Sequence, residues 1–112
     1  MTLNELHLSE KHRNILEPML RFYVPGVEVW AYGSRVNGSS HDGSDLNLVL
    51  RTPDSSEIQF MQMAGLRNAL RESWIPFFVK VREWVHLPEQ LHREIEARHV
   101  VLIPSSTDKQ GP

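Results

Sequence analysis

Two short runs of residues in this sequence have the types and spacing of a site that handles phosphate and a metal ion. Gly33 and Ser34 follow a β-branched and aromatic run, and Asp45 and Asn47 open the next apolar run. A glycine lets the backbone approach an anion closely, and a serine hydroxyl adds a donor. Residues two apart on a strand share a face, so Asp45 and Asn47 can reach one cation beside that phosphate. Oxygen ligands beside nucleotide phosphates favour Mg²⁺.

The longer pattern resembles the DNA polymerase β-like nucleotidyltransferase superfamily, and in particular its minimal (MNT) members. The string Tyr-Gly-Ser-Arg-x-x-Gly, followed by Ser-Asp-Leu-x-Leu, matches that family between Tyr32 and Leu48. In element order the resemblance covers residues 9–103. It implies that Gly33 and Ser34 contact the phosphates of a bound nucleotide, ATP or another NTP.

The resemblance also implies three metal-binding carboxylates, of which this sequence keeps one. Asp45 is then the first metal ligand, whereas Asn47 stands where the family has its second Asp. Aligned by the flanking apolar residues and the following Trp84, the third position falls at Lys80. An ammonium at ~4 Å repels a unit charge of its own sign by about 4 kcal/mol at an effective dielectric of about 20. The catalytic triad is therefore predicted to be degenerate, with Mg²⁺ bound weakly through Asp45 and Asn47.

Neighbouring side chains leave several interpretations of this region open. Asp42 and Glu83 are the acids that could supply a missing ligand, although Glu83 is predicted to face away from Lys80 on its strand. Lys80 either pairs with Asp45 in place of a metal ion or contacts a nucleotide phosphate directly. Arg35 either contacts phosphate, as a nucleotide-binding residue, or is the structural partner of an ion pair.

Strands and helices must position these residues, and the sequence predicts them in the order α-β-β-α-β-α with a further short strand. The predicted helices cover residues 9–23, a segment capped by Ser55 or Ser56, and residues 88–98, and the predicted strands cover residues 27–32, 45–51, 77–84 and 100–103. Pro18 predicts a kink in the first helix or its division into two pieces. Residues 33–44 are predicted to form a long, flexible connection. One sheet layer with helices indicates an α/β or α+β domain.

Composition limits the class of protein further. The 112 residues include 12 Lys and Arg against 14 Asp and Glu, a net charge of −2, which argues against an overall basic surface for nucleic acid and leaves a local basic patch open. The absence of Cys excludes a disulfide scaffold and a thiolate metal site, and it fits a cytoplasmic location. No apolar run is long enough to span a membrane, and the first residues lack the features of a secretion signal.

The resemblance implies a small nucleotidyltransferase fold, a mixed β-sheet with helices mainly on one face and the site on the open face. Residues 1–103 are predicted to form one domain, and residues 104–112 a flexible tail. A domain of this size cannot surround a triphosphate and a large acceptor, so we expect a partner. The resemblance indicates a HEPN-domain protein, with another protein or a second copy of the chain as the alternatives.

Two functions from different classes follow from the resemblance. The first is the transfer of a nucleoside monophosphate, from ATP, to a hydroxyl on the partner protein, weakened or lost through Asn47 and Lys80. The second is an antitoxin-like binding protein that acts on a HEPN-type partner by contact, without catalysis. Because only Asp45 of the three expected acids is present, the sequence favours weak or absent transfer.

Overall fold

The architecture places the two motif-bearing segments on adjacent strands of one small sheet. The structure, a computed structural model, describes residues 5–105. Along the chain the elements are α1 (Glu10–Tyr23), β1 (Glu28–Tyr32), α2 (Ser34–Asn37), β2 (Leu46–Arg51), α3 (Phe60–Arg71), β3 (Val79–Glu83), a 3₁₀ turn (Trp84–His86), α4 (Glu89–Ala97) and β4 (Val100–Ile103). The predicted order is confirmed, with the short helix α2 added. Residues 1–4 of the predicted domain and 106–112 of the predicted tail lie outside the described residues, and that division stays a prediction.

Helix α1 begins at its predicted cap and runs without interruption. The Ser9 hydroxyl accepts a hydrogen bond from the backbone N–H of His12 at 3.2 Å, which satisfies one unpaired donor of the first turn. The predicted division into two pieces is wrong, because a single helix contains Pro18. Proline removes one N–H from the helical ladder. Leu16 and Leu20 on either side of it are fully buried and hold both halves of the helix on the core.

The sheet has four strands in the order β3-β2-β1-β4. β1 pairs antiparallel with β2 and with β4, and β2 pairs parallel with β3, so the sheet is mixed as predicted. β4 is the short strand expected at Val100–Ile103, and its register along β1 shifts between Val29 and Trp30. Because β2 has a neighbour on each side, its first residues lie between the end of β1 and the start of β3.

The larger core lies between one face of the sheet and helices α1 and α3. Alternate residues of β2, Leu46, Leu48 and Leu50, point into this core and are buried, as the period of two predicts. α4 packs against the opposite face, where Ile95 meets Trp30. The prediction of helices mainly on one face is therefore confirmed by α1 and α3, and α4 is the helix on the other face.

Helix α3 begins later than the sequence predicts. Neither Ser55 nor Ser56 caps it, because the helix covers Phe60–Arg71 with Gln59 as its N-cap residue. The Asp54 carboxylate accepts hydrogen bonds from the backbone N–H and the hydroxyl of Ser56, at 3.1 and 2.6 Å. Asp and Ser side chains that bond to nearby backbone in this way favour turns over helices. The capping pattern in the sequence therefore forms a turn.

The remaining elements are short and end close to their predicted bounds. β3 covers Val79–Glu83, since the chain enters the 3₁₀ turn at Trp84. α4 begins at Glu89, with Pro88 as its N-cap residue. Within residues 5–105, no helix is both long and apolar enough to cross a bilayer.

Candidate functional site

One row of residues crosses β1, β2 and β3 at the end of the sheet where the motifs lie. Tyr32 pairs with Asn47, and Asn47 pairs with Lys80, as register neighbours. Leu46 and Leu48 on either side of Asn47 point into the larger core, so Asn47 faces the opposite side of the sheet. The structure thus brings together two predicted triad positions, Asn47 and Lys80, on the face that carries α4.

Asp45 lies immediately before β2 and forms an ion pair with Lys80. The Nζ atom of Lys80 lies 3.6 Å from Oδ2 of Asp45, and the two side chains are 40% and 46% exposed. Of the two contacts considered for Lys80, the structure contains the ion pair with Asp45, and contact with a nucleotide phosphate stays a prediction. The ammonium stands beside the carboxylate that would bind a metal ion in the superfamily that the sequence resembles.

The Lys80→Met variant should change stability little. Both charges reach solvent, where an ion pair of this kind contributes about 0–1 kcal/mol. Urea unfolding should show a fall of less than ~1 kcal/mol in the free energy of unfolding, and the fall should shrink as added salt screens the pair. Arg82→Met, two residues along the same strand, is the matched control. A larger, salt-independent loss would mean that Lys80 stabilises the fold through something other than Asp45.

Gly33 has a backbone conformation that other residues rarely adopt. Its φ and ψ are 90° and −152°, a region essentially restricted to glycine. A Cβ atom added here would lie 2.8 Å from Nδ2 of Asn47, closer than real Cβ contacts. The glycine therefore lets the chain turn against Asn47 at the start of α2. Its role beside a phosphate stays a prediction.

Replacing Gly33 by Ala should destabilise the protein through both backbone strain and this close contact. We expect the free energy of unfolding to fall by about 1–3 kcal/mol, the usual cost of a side chain in such a backbone region. In Gly33→Ala/Asn47→Ala the contact is relieved while the strain remains, so part of the loss should return. Thermal unfolding of both variants, with Asn47→Ala alone as the control, separates the two contributions. Wild-type stability of Gly33→Ala would contradict this account.

Ser34 is the first residue of α2, a single helical turn that ends at Asn37 and is followed by Gly38, where φ is 84°. The prediction of a flexible connection is therefore wrong for its first residues. The N–H of Val36 donates to the carbonyl of Gly33 at 3.0 Å, and the Val36 side chain is buried in the core. These contacts hold Ser34 next to Gly33 at the end of β1, while its contact with phosphate stays a prediction.

Arg35 is the buried centre of the loop that carries the motif. It is only 2% exposed. Its Nε, Nη1 and Nη2 atoms donate to the carbonyls of Ser44, His7 and Asp42 at 2.9, 2.6 and 2.8 Å. The guanidinium also stacks on Phe77, 3.9 Å from the ring centroid. Of the two roles predicted for this residue, its contacts support the structural one, with backbone carbonyls in place of a carboxylate. Its contact with phosphate stays a prediction.

The segment before α1 also bonds to this loop, through His7. These contacts were not predicted from the sequence. His7 Nδ1 lies 2.7 Å from Ser40 Oγ, and His7 Nε2 lies 2.9 Å from Asp42 Oδ1. The backbone N–H of His7 donates to the carbonyl of Arg35 at 2.8 Å. The leucines on either side of His7 are buried in the core. This Leu-His-Leu alternation is the signal that could have indicated an extended segment with one buried face.

Asp42 and Glu83, the two acids considered as substitute metal ligands, both bond to groups elsewhere. The Asp42 carboxylate binds His7 at the outer side of the loop. Glu83 Oε1 accepts a hydrogen bond from the backbone N–H of Ile58 at 2.7 Å. β3 pairs with β2 in regular register from end to end, so Glu83 and Lys80 point to opposite faces. The prediction that Glu83 faces away from Lys80 is confirmed.

Burial shifts two pKa values around the site. It lowers the pKa of the Arg35 guanidinium, and the carboxylates of Asp42 and Asp45 oppose that shift. Burial raises the pKa of the Tyr32 hydroxyl, and the positive charge of Arg82 opposes the rise. Arg82 therefore acts electrostatically across the sheet face as far as β1. The β3 side of this face is positively charged, which disfavours a bound cation.

The donor set at this site does not fit a two-metal centre. Asp45 is accompanied by an amide at Asn47 and an ammonium at Lys80, so one group of the three carries negative charge. Throughout residues 5–105, no group of three or more His, Asp or Glu side chains is placed to hold a metal ion. Mg²⁺ prefers several oxygen ligands in near-octahedral geometry. The expectation of weak Mg²⁺ binding through Asp45 and Asn47 gains no support from this arrangement.

The chain is similar in sequence to a known bacterial protein. It is 30% identical over 98 residues to a probable protein adenylyltransferase MntA of Haemophilus influenzae, and the match covers 88% of this chain and 84% of that protein. No family model matches the chain.

Solved structures share the fold at lower sequence identity. A toxin–antitoxin crystal structure with AMP-PNP has a TM-score of 0.68 at 17% identity, over 88% of this chain and 77% of that chain. The toxin–antitoxin MntA-HepT has a TM-score of 0.65 at 14% identity, over 91% and 78% of the two chains. A tri-AMPylated Shewanella oneidensis HEPN toxin in complex with an MNT antitoxin has a TM-score of 0.62 at 14% identity, over 88% and 74%. At such identities these structures show the fold.

Proposed function

Because this chain belongs to the minimal nucleotidyltransferase family that includes MntA, we propose that it is the antitoxin-type partner of a HEPN-domain protein. It acts on that partner by contact. Transfer of a nucleoside monophosphate from ATP to a hydroxyl of the partner is weakened or lost. The ion pair between Lys80 and Asp45 is the observation that carries this proposal.

The ion pair opposes nucleotidyl transfer through its charge. Lys80 neutralises the one acid that remains of the expected three, and Asn47 adds no charge. Transfer to a hydroxyl in this superfamily uses metal ions that neutralise the triphosphate and position both oxygens. A site with a net charge near zero lacks the attraction that would hold such ions. The chain therefore keeps the backbone positions of the site but lacks two of the three carboxylates that would bind metal ions.

Large exposed apolar side chains support action by contact. Aromatic residues and Met are enriched where proteins contact one another. The exposed side chains of this kind are Phe22, Phe60, Met61, Trp74 and Phe78. Solved relatives of this fold are complexes of an MNT antitoxin with a HEPN toxin. A HEPN-domain protein is therefore the partner that we assign to this chain.

A nucleotide remains the small-molecule ligand in this proposal. Gly33 and Ser34 keep the sharp turn at the end of β1. Lys80 lies on β3, two strands from β1, and its ammonium can bind a phosphate. A toxin–antitoxin structure of the same fold contains AMP-PNP. ATP binds here as a ligand, and transfer of its nucleoside monophosphate is slow or absent.

Residual transfer is the second candidate function, and the similarity to a probable protein adenylyltransferase favours it. In that reaction the hydroxyl oxygen of the partner bonds to the α-phosphorus of ATP, pyrophosphate leaves, and the hydroxyl proton passes to solvent. Asp45 is the acid at the site that could still contribute, and its pairing with Lys80 limits it.

Co-expression with a HEPN-domain protein of the same organism provides the test. That protein is co-expressed with the unmodified chain or with the Asp45→Asn variant, and complex formation, suppression of its toxicity and label transfer from α-labelled ATP are measured. Both chains should bind and suppress it equally, without a discrete labelled product. Label on the partner that needs Asp45 would favour the second candidate. Failure of the unmodified chain to form a complex would overturn the proposal.

A further inference from the structure

A groove beside the free edge of β3 is lined by several cationic side chains. It encloses about 510 Å³ between the end of α3 and β3. Its charged lining residues are Arg67, Arg71, Lys80 and Arg82, and within residues 5–105 no acidic side chain lines it. Net charge over the whole chain is −2, so this concentration of positive charge is local.

Two of the groove's four cationic groups are available to a ligand. Lys80 pairs with Asp45, and Arg67 Nη2 donates to the carbonyl of Val81 at 3.0 Å. Over the described part of the chain, the side chains of Arg71 and Arg82 make no hydrogen bond or ion pair. Guanidinium groups bind carboxylates through paired hydrogen bonds. The groove therefore presents unused donors for an acidic group.

The bond from Arg67 also occupies part of the open edge of β3. β3 is an edge strand, and an open edge commonly takes up an added strand from another chain. Here the Val81 carbonyl already accepts from Arg67. Arg67 therefore occupies one acceptor of this edge, which hinders continuation of the sheet at Val81.

Exposed aromatic side chains accompany the charge. Phe78 lines the groove and is 63% exposed, and Trp74, one residue before the lining residue Ile75, is 90% exposed. Aromatic residues and Arg are enriched at the energetic centres of protein interfaces. The combination fits a polypeptide that carries both apolar and acidic side chains.

We propose that this groove binds an acidic segment of the partner protein, in which carboxylates flanked by apolar side chains contact Arg71 and Arg82. The assignment rests on the proposed function, because the partner is the HEPN-domain protein. Charge complementarity supports it, since the lining has cations without acids. RNA fits less well, because nucleic-acid binding uses cations along an extended surface, and those here are confined to one groove.

Charge reversal in the groove tests the proposal. The variant Arg71→Glu/Arg82→Glu is compared with Lys11→Glu/Arg21→Glu, which makes the same charge change at exposed positions of α1. Titration calorimetry against the purified HEPN-domain protein should show roughly tenfold or greater weakening for the groove variant and less than about twofold for the control. Circular dichroism and urea unfolding verify that both variants fold. Equal affinity of the groove variant and the unmodified chain would overturn the assignment.

Two further probes separate this proposal from the proposed function and from RNA binding. A short synthetic peptide that alternates Glu with Phe should bind the unmodified chain and lose affinity in the groove variant. A single-stranded RNA oligonucleotide should show no difference between the two chains. Peptide binding without a complex with the HEPN-domain protein would overturn the proposed function and leave the groove as an acidic-peptide site. RNA binding that depends on Arg71 and Arg82, without peptide binding, would overturn the groove proposal alone.

Discussion

The Arg35→Met variant should lose about 2–4 kcal/mol of the free energy of unfolding, because each buried polar group left unpaired costs about 1–3 kcal/mol. Arg35 is buried, and it donates to the carbonyls of His7, Asp42 and Ser44. Met fills a similar space beside Phe77 but donates no hydrogen bond. Urea unfolding of the variant and of the unmodified chain measures the difference.

Two other variants are the controls for the Arg35→Met measurement. Arg82→Met removes an exposed guanidinium and should change stability by no more than about 0.5 kcal/mol. Arg35→Lys keeps the charge but cannot reach all three carbonyls, so its loss should be intermediate. If Arg35→Met loses under ~1 kcal/mol, the loop does not depend on this residue, and contact with phosphate becomes the better account of it.

Restoring two acids should create metal-dependent transfer activity. The Asn47→Asp/Lys80→Asp variant places carboxylates on adjacent strands, in register, next to Asp45. We expect label transfer from α-labelled ATP to the HEPN-domain protein to rise on the order of 100-fold, the effect that one group stabilising a transition state commonly has. The assay is run with Mg²⁺ or Mn²⁺, and with EDTA as the blank.

Charge-matched variants separate the effects of the two positions. Asn47→Asp/Lys80→Met removes the ammonium without adding a third acid, and it should recover less activity than the double-acid variant. Adding Asp45→Asn to the double-acid variant should abolish the label. Efficient transfer by the unmodified chain would show that Lys80 does not limit the reaction. Absence of label from every variant would show that the chain lacks more than these two acids.

Much of the fold could be predicted from residue patterns, because strand alternation and apolar helix faces are local. Leu46, Leu48 and Leu50 identified β2 and its buried face correctly. The start of α3 was wrong because Asp54 and Ser56 bond to each other, a choice between cap and turn that depends on the surrounding chain. The course of the helix through Pro18 depended on tertiary packing in the same way.

The site could be predicted in part. Opposite charges at family positions indicated the pairing of Lys80 with Asp45 as one of two contacts, and the structure contains that ion pair. The role of Arg35 stayed open, because its partners are backbone carbonyls that leave no mark in a sequence. His7 was missed for a related reason, since its partners are more than thirty residues away along the chain.

The antiparallel pairing of β4 with β1 has a consequence for the order in which this protein folds. Roughly 70 residues separate the paired positions, and contacts so distant along the chain form slowly because a long loop must close first. During synthesis, β1 can pair with β2 well before Val100 leaves the ribosome. Its other edge, which includes the buried Val29 and Ala31, then stays open to strands of other chains. Nascent chains stalled before β4 should therefore aggregate, whereas chains that extend beyond Ile103 should not.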